Sequence, residues 1–326
     1  MSVAPKPADL SIVIPFYNEA ANICALFGRL IPVLQKLDLV WEVVCVNDGS
    51  RDDTLGRLLD VARSTPGVKV LDLSRNFGKE AALSAGLAYA TGRAVTPMDA
   101  DLQHPPELIP ELLAKWREGY DMVLAIRDAR EHQDWFGRFS ARAFYWLFRR
   151  LSEVPLPPEA GDFRLLDRRV VDALNRMPER NRFMKGIFAW VGFRQAAVPF
   201  TVAPRAGGGT KWGRLRLWRF ALAGLTAFSN FPLRVWSLIG AAISALAFVY
   251  IVFRILRTLI YGIDVPGYET LLGAVLFMGG MQLLTLGILG DYLGRVFDEV
   301  KGRPLYIVRE SYGFLAGGER PERTAP

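Results

Sequence analysis

The chain has 326 residues, of which 51% are hydrophobic, and its net charge at pH 7 is +7. This length allows two domains, and two cysteines are too few for a framework of disulfides. The basic excess fits either nucleic acid or an anionic membrane surface, while the mean hydropathy of +0.17 is high for a soluble enzyme.

Residues 10–125 alternate short apolar runs with helical patterns. The apolar runs predict strands at residues 10–14, 41–46, 68–73, 93–98 and 122–125, and the patterns between them predict helices at 18–35, 53–63, 79–90 and 106–117. This alternation is typical of an α/β fold whose mostly parallel sheet has helices on both faces. The strand segments are apolar throughout, as strands covered on both faces require.

Polar motifs follow the first two predicted strands. Residues 15–19 end the first strand, and within them Asn18 has the alternative role of a helix N-cap. Residues 47–50 follow the second strand, where Asp48 is placed to accept hydrogen bonds from a base or a ribose. The same four residues are also favoured in turns, so both interpretations stay open.

Residues 74–79 end the third predicted strand and open a helix. Free backbone N–H groups at a helix start, with Gly78 and Lys79 beside them, suit a diphosphate. The spacing is wrong for a Walker A loop. The alternative is that Lys79 is an ordinary solvated residue of the first helical turn.

Two acids, Asp99 and Asp101, directly follow the fourth predicted strand. Open α/β sheets bind ligands at strand ends, and the alternation of strand side chains predicts that both acids point the same way. Such carboxylates suit Mg²⁺ or Mn²⁺, ions that usually carry substrate phosphates. The alternative is an acidic loop that caps the helix beginning near Pro105.

Two further pairs of charged residues follow. Asp162 could orient or deprotonate a nucleophile, and Arg164 could hold a phosphate or Asp162 itself. A surface salt bridge is the alternative for this pair. Arg205 and Lys211 flank three glycines and could meet a phosphate at a membrane surface, or they could contact anionic lipid without a catalytic role.

The sequence also predicts elements outside this alternating region. A helix is expected at residues 168–176, an edge strand at 196–202 and an extended segment at 301–309. Basic and aromatic residues interleave in segments 136–151 and 213–231, a pattern typical of helices that lie in a membrane interface. Ordinary basic surface helices are the alternative.

Two uncharged apolar runs, residues 235–253 and 270–289, are each long enough to cross a bilayer, and burial in a protein core is the alternative. Residues 258–269 between them contain no Lys or Arg, whereas the outer flanks are basic, so the positive-inside rule places both termini in the cytoplasm. The predicted organisation is a cytoplasmic catalytic domain at 1–212, an interfacial helix at 213–231, two transmembrane helices at 232–294, and a cytoplasmic extension and tail at 295–326.

Six motifs taken together resemble those of glycosyltransferase family 2, in particular its polyprenyl-phosphate glycosyltransferases. They lie at residues 15–19, 47–50, 74–80, 99–103, 161–164 and 205–211. The resemblance covers residues 8–312, and the two C-terminal runs point to the bacterial bactoprenol branch. It implies a Rossmann-like domain of the GT-A type that binds a nucleotide sugar. Val202 departs from the pattern, since many bacterial relatives have an arginine there, so acceptor binding would depend more on Arg205 and Lys211.

The resemblance also implies roles for individual residues. Nucleotide-sugar binding is implied for Pro15, Tyr17, Glu19, Asp48, Lys79, Asp99, Ala100, Asp101 and Gln103. Asp99 and Asp101 would hold Mg²⁺ or Mn²⁺, and Asp101 and Asp162 would be catalytic. Arg164, Arg205 and Lys211 would bind the acceptor phosphate.

The implied reaction is the inverting transfer of a sugar, with glucose from UDP-glucose as first choice, to undecaprenyl phosphate. The product would be a lipid-linked sugar for a cell-envelope glycan or for lipopolysaccharide modification. The enzyme would be a multi-pass, tetrameric protein of the bacterial inner membrane, acting on its cytoplasmic face without nucleic acid. An N-acetylhexosamine, mannose or an aminoarabinose derivative is the alternative sugar, and a non-catalytic membrane scaffold or a translocator is the alternative function.

Overall fold

The computed structural model describes residues 8–127, residues 160–200 except 178, 181 and 183, scattered positions between 242 and 260, and residues 267–314. Both predicted interfacial helices, at 136–151 and 213–231, lie outside the described residues, as do Arg205 and Lys211. The first predicted span, 235–253, is described only at isolated positions.

One mixed sheet organises the described residues. Its strands are β1 Leu10–Phe16, β2 Trp41–Asn47, β3 Val68–Leu73, β4 Ala94–Pro97, β5 Met122–Arg127, β6 Ala160–Asp167, β7 Gln195–Phe200 and β8 Val308–Tyr312. They lie in the order β7-β5-β6-β4-β1-β2-β3-β8. Strands β6 and β8 run antiparallel to their neighbours, and the other pairings are parallel. The predicted α/β fold with a mostly parallel sheet is confirmed.

Helices connect and cover these strands. They are α1 Ile23–Gln35, α2 Thr54–Ser64, α3 Lys79–Tyr89, α4 Ile109–Arg117, α5 Arg168–Arg176, α6 Met184–Trp190 and α7 Tyr268–Val300, with short 3-10 turns at Ala20–Asn22 and Pro106–Leu108. The first helix begins later than predicted. Asn18 does not cap it, because Asn18 has a φ of 54° and its side-chain Oδ1 accepts a hydrogen bond from the backbone N–H of Arg51 at 2.8 Å.

The strands send alternate side chains to two separate cores. In β1, Ile12 and Ile14 pack with the apolar faces of α1, α2 and α4, while Val13 packs on the other face with α3, α5 and α6. Helix α3 lies especially close to the sheet, since a Cβ at Gly86 would collide with the Val13 side chain. A helix can approach a sheet this closely only where a side chain is missing.

The two outermost strands of the sheet, β7 and β8, have the sequences that are least typical of strands. The predicted edge strand at 196–202 corresponds to β7, Gln195–Phe200, which among the described strands pairs only with β5. The predicted extended segment at 301–309 becomes a strand only from Val308, where β8 pairs with β3. The second predicted span, 270–289, lies within α7.

Among the residues described here, no helix combines the length and the hydropathy that crossing a bilayer requires.

Candidate active site

Five chain segments converge at one edge of the sheet. Strands β1, β2, β3 and β4 are parallel, so their carboxyl ends meet there. Strand β6 pairs antiparallel with β4, so the beginning of β6 reaches the same edge. This topology brings Asp162 to the acids that follow β4. Ligands bind at this edge in open α/β sheets.

An irregularity in β6 surrounds Asp162. Leu124 of β5 pairs with Arg164 and Ile126 pairs with Ala160. Residues 161–163 therefore lie opposite the single residue Ala125. Such bulges redirect side chains and are common next to active sites. Here the neighbouring Phe163 is buried, while the Asp162 carboxylate reaches Lys79.

Lys79 bridges two carboxylates. Its Nζ lies 2.6 Å from Asp99 Oδ1 and 2.6 Å from Asp162 Oδ2. The Lys79 side chain is 43% exposed, whereas that of Asp162 is 16% exposed. The Oδ1 atom of Asp162 is buried and has no hydrogen-bond partner among the described residues. The cluster thus presents a cation and an unpaired acceptor atom at the edge of the sheet.

Neighbouring charges lower the pKa of Asp162 and raise that of Lys79. Burial opposes ionisation of Asp162, but the positive charges of Lys79, Lys185 and Arg164 outweigh it and lower its pKa to about 2. Burial also opposes the charge of Lys79, yet the carboxylates of Asp99 and Asp162 raise the pKa of its ammonium group. Both groups are therefore ionised at neutral pH.

Glu80 shows the opposite behaviour. Burial, followed by the negative charge of Asp162, raises the pKa of the Glu80 carboxyl group to about 7, although Lys79 and Lys185 oppose this. Glu80 follows Lys79 on the first turn of α3. One carboxyl group of the cluster thus exchanges a proton near neutral pH.

The two acids after β4 lie beyond the strand. Strand β4 ends at Pro97, so the alternation of strand side chains does not set the direction of Asp99 and Asp101, and their common direction stays a prediction. A turn follows instead, in which the backbone N–H of Gln103 donates to Asp101 Oδ1 at 3.2 Å. Leu102 within it has a φ of 64°, and Ala100 is buried.

His104 holds this turn in place through a hydrogen bond and a ring contact. Its Nδ1 accepts a hydrogen bond from the backbone N–H of Asp99 at 3.2 Å. Its ring stacks on Phe163 with centroids 5.0 Å apart. His104 is buried and joins the turn after β4 to the beginning of β6, which places Asp99 relative to Asp162.

The donor chemistry of Asp99 and Asp101 fits a divalent cation. No cluster of three or more His, Cys, Asp or Glu side chains suited to a metal exists among the described residues. Mg²⁺ and similar ions are commonly held by one or two carboxylates, with phosphates and water as the other ligands. Both Asp99 oxygens lie within reach of Lys79 Nζ, so the lysine and a metal would share this carboxylate.

Asp48 ties two loops together. Its two carboxylate oxygens accept hydrogen bonds from the backbone N–H groups of Phe77, at 2.7 Å, and Gly78, at 2.9 Å. Burial raises the pKa of Asp48, although these two bonds oppose the shift. The adjacent Gly49 has a φ of 62°, and a Cβ there would collide with the backbone of Arg75. The loops after β2 and β3 are consequently packed directly against each other.

The segment after β1 is fixed to the segment after β2. Glu19 donates its backbone N–H to Thr54 Oγ1 at 3.0 Å, and its side chain accepts from Asn22 Nδ2 at 2.5 Å. Tyr17 is exposed, and Pro15 is partly buried within β1. The described residues predicted to bind a nucleotide sugar therefore lie on adjoining loops of one edge.

Arg164 lies beneath the cluster. It is buried, its Nη2 donates to the carbonyl of Gly161 at 2.6 Å, and its guanidinium group lies 4.0 Å from the centroid of the Phe188 ring. Burial lowers its pKa to about 10, against the charges of Asp162 and Glu80. In this position Arg164 acts on the field around Asp162 and supports the bulge of β6.

Sequence reasoning missed three residues of this site. Glu80 and Lys185 act on the charge balance of Asp162, and His104 positions Asp99. The position of Glu80 beside Lys79 was a usable signal, because consecutive charged residues at a strand–helix junction are both close to any ligand bound there. Lys185 has no such signal, since its helix approaches the site only through the antiparallel strand β6.

Two family models match this chain. The model "Glycosyl transferase family 2" matches residues 11–174, which includes the loops that carry Asp48, Lys79, Asp99 and Asp162. The model "GtrB C-terminal hairpin" matches residues 231–296. The two matches follow the division between the predicted catalytic and C-terminal regions.

Individual proteins are similar over nearly the whole chain. An uncharacterized glycosyltransferase of Synechocystis is 55% identical over 94% of this chain and 96% of its own length. A prophage-derived bactoprenol glucosyl transferase of Shigella flexneri is 44% identical over 93% of this chain and 98% of its own length. Among solved structures, a mannosyl-3-phosphoglycerate synthase from Rubrobacter xylanophilus aligns with a TM-score of 0.48 at 19% identity, over 72% of this chain and 75% of its own.

Proposed function

The chain belongs to glycosyltransferase family 2, and we propose that it transfers glucose from UDP-glucose to undecaprenyl phosphate. The observation that carries the proposal is the Lys79 bridge between Asp99 and Asp162 at the carboxyl edge of a GT-A-like α/β sheet. The identity of the sugar and of the lipid is supported by the Shigella flexneri relative, a bactoprenol glucosyl transferase that aligns with nearly the whole chain.

The proposed reaction is a displacement at the anomeric carbon. An oxygen of the acceptor phosphate forms a bond to C1 of the sugar, the bond from C1 to the diphosphate breaks, and UDP leaves with the electron pair. Attack from the side opposite the leaving group inverts the configuration at C1. Negative charge shifts from the acceptor phosphate to the leaving diphosphate, so the site must place positive charge beside the diphosphate.

Asp162 orients the acceptor in this proposal. A carboxyl group with a pKa of about 2 is a weak base, and a phosphate monoester has a second pKa of about 6, so much of it is already doubly ionised at pH 7. Asp162 therefore has little proton abstraction to perform. Its Oδ1 has no hydrogen-bond partner among the described residues but is buried, so a substrate hydroxyl or a protonated phosphate would reach it only after neighbouring side chains move.

Donor binding falls to the loops of the carboxyl edge. Pro15, Tyr17, Glu19 and Asp48 line the side expected to hold the nucleoside, while Ala100 and Gln103 flank the expected place of the sugar. Lys79 begins α3, so the free N–H groups of the helix start and the ammonium group together face the diphosphate. Asp99 and Asp101 would hold Mg²⁺ or Mn²⁺, which when bound offsets the charge of the leaving diphosphate.

Acceptor binding is proposed at a membrane. Helix α7 exposes apolar side chains along its length, including Leu271, Val275, Leu283 and Leu286, and exposed apolar surface of this kind marks a protein or membrane contact. Arg205 and Lys211 would meet the phosphate of the lipid at headgroup level. We also propose the two predicted spans, the cytoplasmic orientation of both termini, an inner-membrane location and a tetramer.

A donor panel tests the proposal. The full-length chain is reconstituted in vesicles with undecaprenyl phosphate and Mg²⁺ or Mn²⁺, and labelled UDP-glucose, UDP-N-acetylglucosamine and GDP-mannose are compared. We expect label from UDP-glucose in the lipid extract, with one UDP released per sugar transferred, and loss of the product when the metal is chelated. UDP release without a lipid product, or no transfer from UDP-glucose, would reject the proposal.

A further inference from the structure

The end of α7 and the segment that follows it pack beside β3, the strand that leads to the proposed donor site. We define the C-terminal strap as residues 299–314. Within it, β8 pairs antiparallel with β3, so that Leu71 lies opposite Ser311 and Asp72 opposite Glu310. The backbone N–H of Ser74, the first residue of the loop that leads to Lys79, donates to the carbonyl of Ile307 at 2.9 Å. The strap therefore contacts the donor loop directly.

An ion pair between a buried carboxylate and a half-exposed guanidinium group joins the strap to β3. Asp72 is 1% exposed, and its Oδ2 accepts from Arg309 Nε at 2.8 Å and from Arg309 Nη2 at 2.6 Å. No other cation pairs with Asp72 among the described residues. A carboxylate buried this deeply is strongly unfavourable once its partner is removed.

The other oxygen of the same carboxylate leads to the donor edge. Asp72 Oδ1 accepts a hydrogen bond from Asn47 Nδ2 at 2.7 Å, and Asn47 Oδ1 accepts from the backbone N–H of Ser50 at 3.3 Å. Asn47 thereby closes the turn that contains Asp48, the residue that holds the N–H groups of Phe77 and Gly78. A continuous set of polar contacts runs from Arg309 to the loop beside Lys79.

The beginning of the strap is also fastened. The backbone N–H of Arg180 donates to Glu299 Oε1 at 2.8 Å, and its guanidinium group donates to the carbonyls of Glu299, at 2.8 Å, and Arg303, at 2.6 Å. The strap is thus held at the end of α7 by one set of contacts and at the sheet edge by another.

Edge pairing alone does not require a buried charge. Backbone hydrogen bonds would attach β8 to β3 with any neutral side chain at position 72, and an ion pair with an exposed partner adds little stability. The pair is instead placed where its second hydrogen bond orients Asn47. This placement favours a role in fixing the turn over a role in stability alone.

We propose that Arg309 is a positioning residue for the donor, which acts through Asp72 and Asn47 to hold the Asp48 turn and the loop before Lys79 in their binding geometry. The inference rests on the proposed function, because the ligand it concerns is a nucleoside diphosphate at the carboxyl edge. It makes the C-terminal strap, more than 200 residues from β3 in sequence, a part of the donor site.

Binding of UDP to the purified full-length protein tests this role. Arg309→Met should raise the dissociation constant for UDP about tenfold, and Arg309→Lys, which keeps the charge, about threefold. With UDP-glucose, KM should rise similarly while kcat changes less than about twofold, since the group acts before the chemical step. Arg303→Met is the matched control, because only the backbone carbonyl of Arg303 takes part in the contacts described.

Two further measurements separate positioning from stability. Hydrogen exchange of the amides at residues 48–50 and 77–78 should accelerate in Arg309→Met and stay unchanged in Arg303→Met. Asp72→Asn removes the buried charge, so Asp72→Asn combined with Arg309→Met should bind UDP no more weakly than Arg309→Met alone.

The outcomes are distinguishable. If Arg309→Met unfolds at a lower temperature yet binds UDP within twofold of the wild type, or if Arg303→Met weakens binding equally, the positioning role is excluded and the proposed function is untouched. If the wild-type protein binds no nucleoside diphosphate, the proposed function fails and this inference fails with it.

Discussion

A lysine pairs with acidic side chains at each end of the parallel strands, at the amino edge of the sheet and at the carboxyl edge. The two clusters differ in how many of their polar atoms have a hydrogen-bond partner. At the amino edge, Glu42 is 3% exposed and accepts hydrogen bonds from Lys69 Nζ at 2.6 Å, Ser11 Oγ at 2.5 Å, and the backbone and hydroxyl of Thr91 at 2.6 and 2.9 Å. At the carboxyl edge, Lys79 faces Asp99 and Asp162, one Asp162 oxygen lacks a described partner, and Glu80 adds a further carboxyl group.

The difference separates a stabilising network from a binding site. Buried polar groups are normally paired, and a fully satisfied network rigidifies a fold. The amino-edge cluster meets that condition with a single carboxylate and a single lysine. The carboxyl-edge cluster contains a buried acceptor atom without a partner among the described residues, and a half-exposed cation that a ligand can reach. Perturbed carboxyl groups in such a place are typical of functional sites.

The largest expected effect is at the carboxyl edge. Asp162→Asn keeps the size of the side chain but removes the charge that orients the acceptor, so we expect turnover to fall by about a thousandfold while UDP binding stays near the wild-type value. Rates of lipid-linked sugar formation and UDP titrations measure this. Turnover within tenfold of the wild type would remove Asp162 from the reaction.

The corresponding substitution at the amino edge is Glu42→Gln. Glu42→Gln leaves Lys69 without its partner in a buried setting, and we expect the free energy of unfolding to fall by about 3 kcal/mol while kcat and KM of the folded enzyme stay unchanged. Denaturant unfolding and initial rates on the same preparations test this. A loss of turnover larger than the loss of folded protein would mean that the two edges are coupled.

The pH dependence of stability should have opposite signs for Glu80 at the carboxyl edge and Glu42 at the amino edge. Burial raises the pKa of Glu80 to about 7, so the folded state binds the extra proton and stability falls as pH rises from about 4.5 to about 7. For Glu42, burial opposes ionisation, but bonds from Lys69, Ser11 and Thr91 lower the pKa, so its contribution is lost as pH falls below about 4.5.

Two conservative variants isolate these slopes. Glu80→Gln should remove the loss above pH 4.5, making the protein more stable than wild type at pH 8 by up to about 3 kcal/mol. Glu42→Gln should flatten the acid side instead. Unfolding free energies measured between pH 4 and pH 8 give both slopes, and identical slopes in wild type and Glu80→Gln would show that Glu80 titrates normally.

The smallest effect is expected from Lys185. Its charge lowers the pKa of both Asp162 and Glu80, so Lys185→Met should shift the upper end of the Glu80 slope to higher pH by less than about one unit. The same pH series measures this. A shift to lower pH would contradict the assigned charge balance.

The carboxyl edge was largely predictable as far as the parallel strands extend. Strands β1 to β4 are continuous apolar runs, and their polar ends must meet once the strands are parallel. This reasoning brought Asp48, Lys79 and Asp99 to one edge. The direction of Asp101 was not predictable, because strand alternation ends at Pro97 and a turn with Leu102 at positive φ follows.

Other parts of the site depend on contacts that no local pattern encodes. Asp162 reaches the edge because β6 is inserted antiparallel between β4 and β5 and is bulged at residues 161–163. Arg309 pairs with Asp72 across more than 200 residues of sequence. Both are tertiary features, decided by which strands pair rather than by the residues around them, and an alternating or charged segment alone does not indicate its partner.

The close packing of α3 against the sheet at Gly86 limits how the donor preference of this enzyme can change. Lys79 lies about 10 Å from Gly86 along the axis of α3. A Cβ at position 86 would collide with a side-chain carbon of Val13, so either Val13 or the helix that carries Lys79 would have to shift. We expect new donor preferences to arise by substitutions on the loops, which leave the helix axis in place. Positions where α3 packs against the sheet should tolerate very few substitutions.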